Sequence, residues 1–380
     1  MMSAFWETDE HRAFREQVRR FTAEQIVPQI DAWEADGELP LSLHEQAADV
    51  GLLGVGFPEA YGGLETPDSF YPLIVIDELC RAGSGGLIAS LLSLGIGLPP
   101  IVALGSDALK RRVLPDVLAG RKVSALAITE PSGGSDVANL KTHARRDGDH
   151  YVLNGSKTFI TSGMRAHWMT VAARTGDAGM QGISLFAVPG DAPGLGRTSL
   201  DKMGWRCSDT ATLYFEDCRV PADCLIGQEN AGFLGIMRNF NGERLALAAQ
   251  AVGLAQCAYD EALDWARQRE TFGRPLSQRQ VIRHKLVDML TAIASQRAHL
   301  NELAWRCEQG EAPIAELCML KNGATAMLEQ VAGEAVQILG GAGYLHGCRS
   351  ERIFRETKVL SIGGGASEVM KDLAARQLGL

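Results

Sequence analysis

The spacing of apolar residues changes twice along this chain. Between Thr8 and about Gly120 the apolar positions keep a helical period. Phe14, Val18 and Phe21 fall on one face, and Ile26 and Ile30 continue it. Breaks at Pro58 to Gly63 and at Pro99-Pro100 divide that block into several helices. From Val123 to about Gly227 the pattern shortens to runs such as Tyr151–Leu153, Trp168–Val171, Ile183–Val188 and Thr212–Phe215. Asn-Gly, Asp-Gly and Gly-Asp pairs separate them, which predicts an antiparallel β-domain. Beyond Ala231, Ala- and Leu-rich helical segments return at roughly 243–268, 279–308, 313–339 and 367–378. Blocks of helix, strand and helix predict an α+β multidomain chain rather than an alternating α/β fold. We expect a helical N-terminal domain at 1–121, a β middle domain at 122–230 and a C-terminal helical bundle at 231–380.

Composition narrows this little. The chain has 380 residues, long enough for two or three cores. A formal net charge of −9 argues against nucleic acid as a partner. The eight cysteines are scattered with no C-x-x-C pair, and the eight histidines give no H-x-x-x-H pair, so no metal site is expected. Free thiols in a reducing compartment are the better account of the cysteines. Met1 to Arg20 is charged throughout and acidic, unlike a secretory or mitochondrial leader. The apolar stretch Gly85 to Leu104 carries Ser, Gly and two prolines, and reads as a buried helix and turn, not a membrane span. A cytoplasmic location, with no membrane partner, is expected.

The chemistry concentrates in four blocks. The first is Thr129-Glu130-Pro131-Ser132-Gly133-Gly134-Ser135-Asp136, where an apolar run meets a tight turn rich in hydroxyls and amides. Such a turn can cradle a flat heterocycle and a phosphate. By itself it is equally a surface turn between strands. The second block, Lys157-Thr158-Phe159-Ile160-Thr161-Ser162-Gly163, is strand-like. The third is Arg269-Glu270-Thr271-Phe272-Gly273 with Gln280, and the fourth Gln337-Ile338-Leu339-Gly340-Gly341-Ala342-Gly343-Tyr344. The glycine strings give neither G-x-G-x-x-G nor a P-loop, so nucleotide-binding motifs of those types are excluded.

Together, in this order and spacing, the four blocks resemble the acyl-CoA dehydrogenase family, from about Thr8 to Arg376. The resemblance implies a β-barrel-like middle domain, a C-terminal four-helix bundle, FAD as cofactor and an acyl-CoA thioester as substrate. It places Thr129, Gly134, Ser135 and Thr161 on the flavin and its phosphates, with Phe159 beside the ring where many relatives carry Trp. Ser135 also stands where substrate is bound. Arg269, Thr271, Phe272, Gln280, Gln337 and Gly341 match residues that reach the FAD of a neighbouring subunit, which implies a homotetramer. Arg269 is otherwise an exposed cation at a helix end. An electron-transfer flavoprotein is the implied acceptor.

The reaction implied is α,β-dehydrogenation, which needs a carboxylate to take the α-proton. Many members carry it in a Tyr-Glu-Gly-Thr-Ser segment. Here the matching stretch is Ile362-Gly363-Gly364-Gly365-Ala366-Ser367-Glu368, and the base position is Gly364. Ala366 also replaces a hydroxyl residue common there. Members of the isovaleryl-CoA and long-chain type, and citronellyl-CoA-like relatives, place the base in a Glu-Arg-Leu segment instead. Asn241-Gly242-Glu243-Arg244-Leu245 matches it, so the resemblance makes Glu243 the base, with Arg244 and Gly364 lining the substrate site. The plainer alternative for Glu243 is an acid in the first turn of a helix, where the dipole favours it. Arg244 is alternatively a structural ion-pair partner. Glu368, one turn past Gly364, is expected to cap a helix or contact cofactor. Two other functions stay open: a flavin oxidase or monooxygenase on the same fold, and a non-catalytic acyl-CoA-binding relative.

Overall fold

The computed structural model describes residues 5–380, with the side chains of Arg238 and Asn239 left undescribed. The chain begins with eight helices: α1 (Asp9–Phe21), α2 (Ile30–Asp36), α3 (Leu41–Asp49), α4 (Phe70–Leu79), α5 (Gly85–Leu91), α6 (Leu94–Gly97), α7 (Pro99–Leu104) and α8 (Asp107–Leu118). Thr8 starts α1 with a capping box, its hydroxyl accepting from the His11 amide while the His11 ring accepts from the Thr8 amide. Among the described residues no single helix is long and apolar enough to cross a membrane; in the apolar stretch noted above, α5 is largely buried, and α7 buries Pro100 and Ile101.

Eight strands follow: β1 (Ser124–Ala127), β2 (His143–Asp147), β3 (His150–Thr161), β4 (Trp168–Arg174), β5 (Ile183–Pro189), β6 (Leu195–Ser199), β7 (Thr210–Pro221) and β8 (Leu225–Ile226). They form one sheet in the order β6-β7-β3-β2-β4-β5-β8, with β1 attached to β4. The pairing is not purely antiparallel. β1 runs parallel to β4 along its length, and β2 touches β4 in parallel at His143 and Arg174. The expected antiparallel domain needs that correction; β1 arrives from the helical block and joins the sheet without a hairpin.

The C-terminal part contains α9 (Gly232–Gln268), a small hairpin of β9 (Glu270–Thr271) and β10 (Arg274–Pro275), then α10 (Gln280–Glu308), α11 (Ile314–Leu339), α12 (Arg349–Ile362) and α13 (Ser367–Leu378). α12 is an additional helix, and α9 begins well ahead of position 243. Small residues fill the seam between α9 and α11. Ala248, Ala251, Ala255, Ala258 and Ala262 face Ala324, Leu328, Val331, Ala332 and Ala335 in one core, all buried. Short side chains let two long helices pack closely and hold their register. On the other side of α9, a Cβ at Gly253 would come within 2.7 Å of Cys80 Sγ, so glycine is what allows α4 to approach.

Three blocks of the chain meet at Glu356 of α12. Its carboxylate accepts from the Gly85 amide at 2.7 Å and the Trp205 amide at 2.9 Å. One hydrogen bond ties down α5, the other the loop before β7. Burial, together with nearby Glu34, pushes Glu356 well above the usual carboxylate range. Arg352, one turn earlier, donates to Gly83 O, Ala82 O and Asp31. α12 thus locks the N-terminal helices and the β-domain to the helical bundle.

The turn that follows α12 ends at Ala366, the N-cap of α13, whose side chain can make no capping hydrogen bond. Its extended backbone (φ −57°, ψ 150°) suits a hydroxyl cap. Ala366→Ser is expected to stabilise the protein by about 1 kcal/mol, seen in a thermal melt as a rise of about 1–3 °C. No rise would mean the turn cannot present the hydroxyl to the helix amides.

Candidate active site

The first two sequence blocks lie side by side. The Thr158 amide donates to Thr129 O at 2.9 Å. Lys157, wholly buried, reaches under the turn and donates to Ile128 O at 2.9 Å and to Glu130 Oε1 at 2.8 Å. Glu130 in turn accepts from the Lys141 amide at 2.6 Å and the Thr142 amide at 2.9 Å. Burial opposes the ionised forms of both. Lys157 and the two amides nevertheless hold Glu130 down to about 2, while burial pulls Lys157 down to about 8. This pair and its amide partners fix the base of the turn.

Above that base the turn is open. Gly134 and Ser135 are exposed, and a Cβ at Gly134 would already press Thr129 Cγ2 at 3.2 Å. Among the described residues the hydroxyls of Thr129, Ser135 and Thr161 and the amides of Gly134 and Ser135 have no hydrogen-bond partner. Phe159 sits in a register break between β3 and β7, at φ +60°, with 70% of its surface exposed. A non-glycine residue in that region is strained, and a large exposed aromatic loses the benefit of burial. Both costs point to a ligand as the missing partner.

Glu243 lies deep inside α9, not in its first turn, so the helix dipole does not account for it. The residue as a whole is partly exposed, but Oε2 is closed to solvent and has no hydrogen-bond partner. Burial pushes its carboxyl up to about 7, opposed by the charges of Arg244 and Lys321. Its Oε1 lies 3.5 Å from where a Cβ on Gly364 would stand. Gly364 has φ +63°, and that Cβ would overlap Leu247 Cδ1. The carboxylate from α9 reaches this space, while a side chain at position 364 would have to displace the tip of Leu247 and take a left-handed backbone angle. Arg244 is buried and donates from Nη1 to Asn241 Oδ1 at 2.7 Å, while its Nε has no partner. Among the described residues it forms no ion pair within 4.0 Å.

The remaining residues are dispersed. Arg269 caps α9 and is exposed, stacking 6.0 Å over Trp265. Thr271 and Phe272 form the tip of the β9–β10 hairpin, with Phe272 at φ +50° and 99% exposed. Gln280, Gln337 and Gly341 are exposed as well, and none of these hydrogen-bonds to the Thr129–Ser135 turn. Glu368 is exposed in the first turn of α13 and makes no capping hydrogen bond.

Two neighbours of Glu243 carry no role in the sequence reading. Leu247 closes the space at Gly364, and Lys321 of α11 donates to Gly365 O at 2.7 Å. A signal for Lys321 existed: with Leu317, Ala324 and Leu328 it falls on the buried face of α11, where a lysine is out of place.

Known proteins of the same kind share this architecture from end to end. Family models match the chain in three consecutive parts: acyl-CoA dehydrogenase N-terminal domain at 8–121, middle domain at 125–218 and C-terminal domain at 230–379. The cyclohexane-1-carbonyl-CoA dehydrogenase of Geobacter metallireducens is 36% identical over 98% of each chain. The mitochondrial isovaleryl-CoA dehydrogenase of Oryza sativa is 37% identical over 97% of this chain and 91% of its own. The crystal structure of a probable acyl-CoA dehydrogenase from Mycobacterium abscessus superimposes with a TM-score of 0.96 at 48% identity, covering 98% of this chain and all of that one. This chain belongs to the acyl-CoA dehydrogenase family, whose members are FAD-dependent oxidoreductases.

Proposed function

We propose that this protein removes the α-proton of an acyl-CoA thioester with Glu243 while the β-hydride leaves to FAD, giving the trans-2-enoyl-CoA. The observation that carries the reading is the partnerless, solvent-shielded Glu243 Oε2, with Oε1 set against the backbone of Gly364. FAD, when bound, supplies the acceptor for the hydride. The residues present fit it. Unpaired hydroxyls at Thr129, Ser135 and Thr161 and unpaired amides at Gly134 and Ser135 suit a heterocycle edge and phosphate oxygens, and exposed Phe159 suits the face of a ring. Glu243, pushed up to about 7, is ionised in about half of the molecules at neutral pH; the ionised form takes the proton, and electron density from the broken C–H bond enters the new double bond. Gly364 lines the substrate site with backbone alone, Arg244 carries an unpaired buried N–H beside the base, and Glu368 contacts cofactor from the start of α13.

The domains divide near 121/122 and 230/231 in this reading. Relatives that act on ring-bearing or branched acyl groups support a branched or bulky substrate. An electron-transfer flavoprotein takes the electrons, and the eight unpaired cysteines suit a cytoplasmic location.

The dispersed residues support a homotetramer. Among the described residues, Arg269, Thr271, Phe272, Gln280, Gln337 and Gly341 make no hydrogen bond to the turn they would serve, and a second copy would bring its own to it. Exposed apolar side chains nearby, Phe272, Val281, Val287, Tyr344 and Leu345, need such a cover.

Glu243→Gln keeps the size and reach of the side chain but cannot accept the proton at neutral pH. It should bind acyl-CoA and FAD almost normally and reduce flavin about 10² to 10⁴ times more slowly in anaerobic stopped flow. A near wild-type rate would remove Glu243 from the mechanism.

In the wild type the reduction rate should rise with pH through about 7, the point to which burial pushes Glu243. The sign follows from the role: the base works deprotonated, so acid silences it. A rate falling over that range would contradict it.

Phe272→Asp should lower the assembly from tetramer to smaller species in light scattering and release FAD on gel filtration. A wild-type monomer that keeps FAD would overturn the shared-site reading. Rapid reoxidation of the reduced protein by oxygen would favour an oxidase instead.

A further inference from the structure

Lys321 is wholly buried on α11, and the mechanism above does not use it. Its ammonium donates to Gly365 O at 2.7 Å. The next residue, Asn322, donates from its side chain to Ser367 O at 3.0 Å. Two consecutive residues of α11 therefore hold the second half of the turn between α12 and α13, at Gly365 and at Ser367. Gly364 immediately precedes the first of those anchors, and Glu243 is set against it. Its other ties are the Gly363 amide on Val359 O at 2.7 Å and the Ser367 hydroxyl on Ser361 O at 3.3 Å. Gly364 and Gly365 have φ +63° and +99°, and Ala366 contributes no cap.

We propose that Lys321 is a positioning residue for the reaction: its buried ammonium pins the Gly363–Ser367 turn at Gly365, fixes the wall opposite Glu243, and supplies a positive charge felt by that carboxylate from beyond ion-pair distance. The inference rests on Glu243 being the base. The charged and titratable groups around Lys321 are Glu243 and Arg244 from α9, Cys318 on its own helix and Glu368 from α13. Around Glu243 they are Arg244 and Lys321. Burial pulls Lys321 down to about 8, and Glu243 opposes the fall, so the amine still carries its charge at neutral pH. A direct salt bridge would neutralise Glu243 as a base. A cation held on a carbonyl instead favours ionisation and leaves the carboxylate oxygens free for the substrate proton.

The test reads the base without the hydride step. 3,3-Dimethylbutyryl-CoA has α-hydrogens and no β-hydrogen, so it can exchange its α-protons with deuterated solvent but cannot be dehydrogenated. Deuterium incorporation by the FAD-loaded enzyme, followed by mass spectrometry across pH, gives the titration of the base. Anaerobic flavin reduction of a true substrate is run beside it.

Removing the cation disfavours the carboxylate form, so the rising limb must move to higher pH. With Lys321→Met the midpoint should move up by about one unit, with exchange about tenfold slower at pH 6 and converging on wild type well above the midpoint. Lys321→Gln removes the charge but keeps a donor for Gly365 O. It should show the same direction of shift, and it carries the test if the Met variant does not fold. Lys321→Arg restores the charge and should return the midpoint to within about 0.3 unit of wild type. A buried residue that merely supports the fold would lower the rate at every pH and leave the midpoint alone. An unmoved midpoint in the Gln variant, with Glu243→Gln inactive in exchange, overturns the Lys321 inference and leaves the base assignment standing. Exchange that survives in Glu243→Gln overturns the base assignment, and the Lys321 inference falls with it.

Discussion

A carboxylate without a hydrogen-bond partner, shut away from water, is expensive. Glu243 Oε2 is in that position, and the surrounding structure is arranged around tolerating it. Its helix is locked against α11 by a seam of alanines, so the side chain cannot swing out by shifting the backbone. Leu247, one turn on, fills the space that a side chain at 364 would need. Gly364 presents only backbone, at a φ that glycine adopts without strain. The cations nearby lessen the cost without cancelling it: Arg244 bonds to Asn241, and Lys321 to a carbonyl. The carboxyl is left with a raised affinity for protons, which is the property a general base at neutral pH requires.

The β-domain uses the opposite device. Glu130 is buried too, but four hydrogen bonds, from Lys157, two amides and Ser132, satisfy it and keep it ionised. It is scaffold, and a fully paired charge is well suited to that. The turn built on it can hold its donors outward because its base cannot move. Phe159 is then carried out of the sheet by the register break next to Lys157. Two residues apart on β3, Lys157 is pinned and Phe159 is strained, so ordering and exposure come from the same few residues. Glu356, further along the chain, joins both regions by holding α5 and the loop at Trp205.

The order of helical and β blocks was legible because the hydrophobic period changes where the architecture changes. The two helical errors have identifiable causes. The start of α9 is masked by Gly232, Gly235, Asn241 and Gly242, which read as helix breakers. Gly232 and Gly235 are there for packing: a Cβ at Gly232 would meet Ser184 C at 2.9 Å, and at Gly235 Leu104 Cδ1 at 2.8 Å. The helix pays for glycine in propensity and gains a close seat on β5 and α7. α12 escaped because its buried face is polar. Ser350, Glu351, Arg352, Glu356 and Thr357 look like a solvated segment, yet ion pairs and backbone partners across three regions satisfy them. Periodicity of apolar residues cannot reveal a helix whose inner face is charged. The four chemical blocks were legible through resemblance, but their spatial grouping was not. The Thr158 amide joins Thr129 to the strand that carries Phe159, whereas Arg269 and Gln337 make no hydrogen bond to that turn among the described residues.

Positions 243 and 364 constrain each other physically, which is why the sequence could relate them although 121 residues separate them. A carboxylate at 364 would need a β-carbon where Leu247 now sits, and a backbone angle that only glycine adopts readily. Moving the carboxylate there is therefore not a two-residue exchange. The tip of Leu247 would have to move aside, and the turn held by Lys321 and Asn322 would have to leave the left-handed region. Each of those changes loosens the wall that gives Glu243 its dry setting. The side from which a carboxylate reaches this space is thus fixed less by the glutamate than by where the backbone leaves room. In this chain that side is α9.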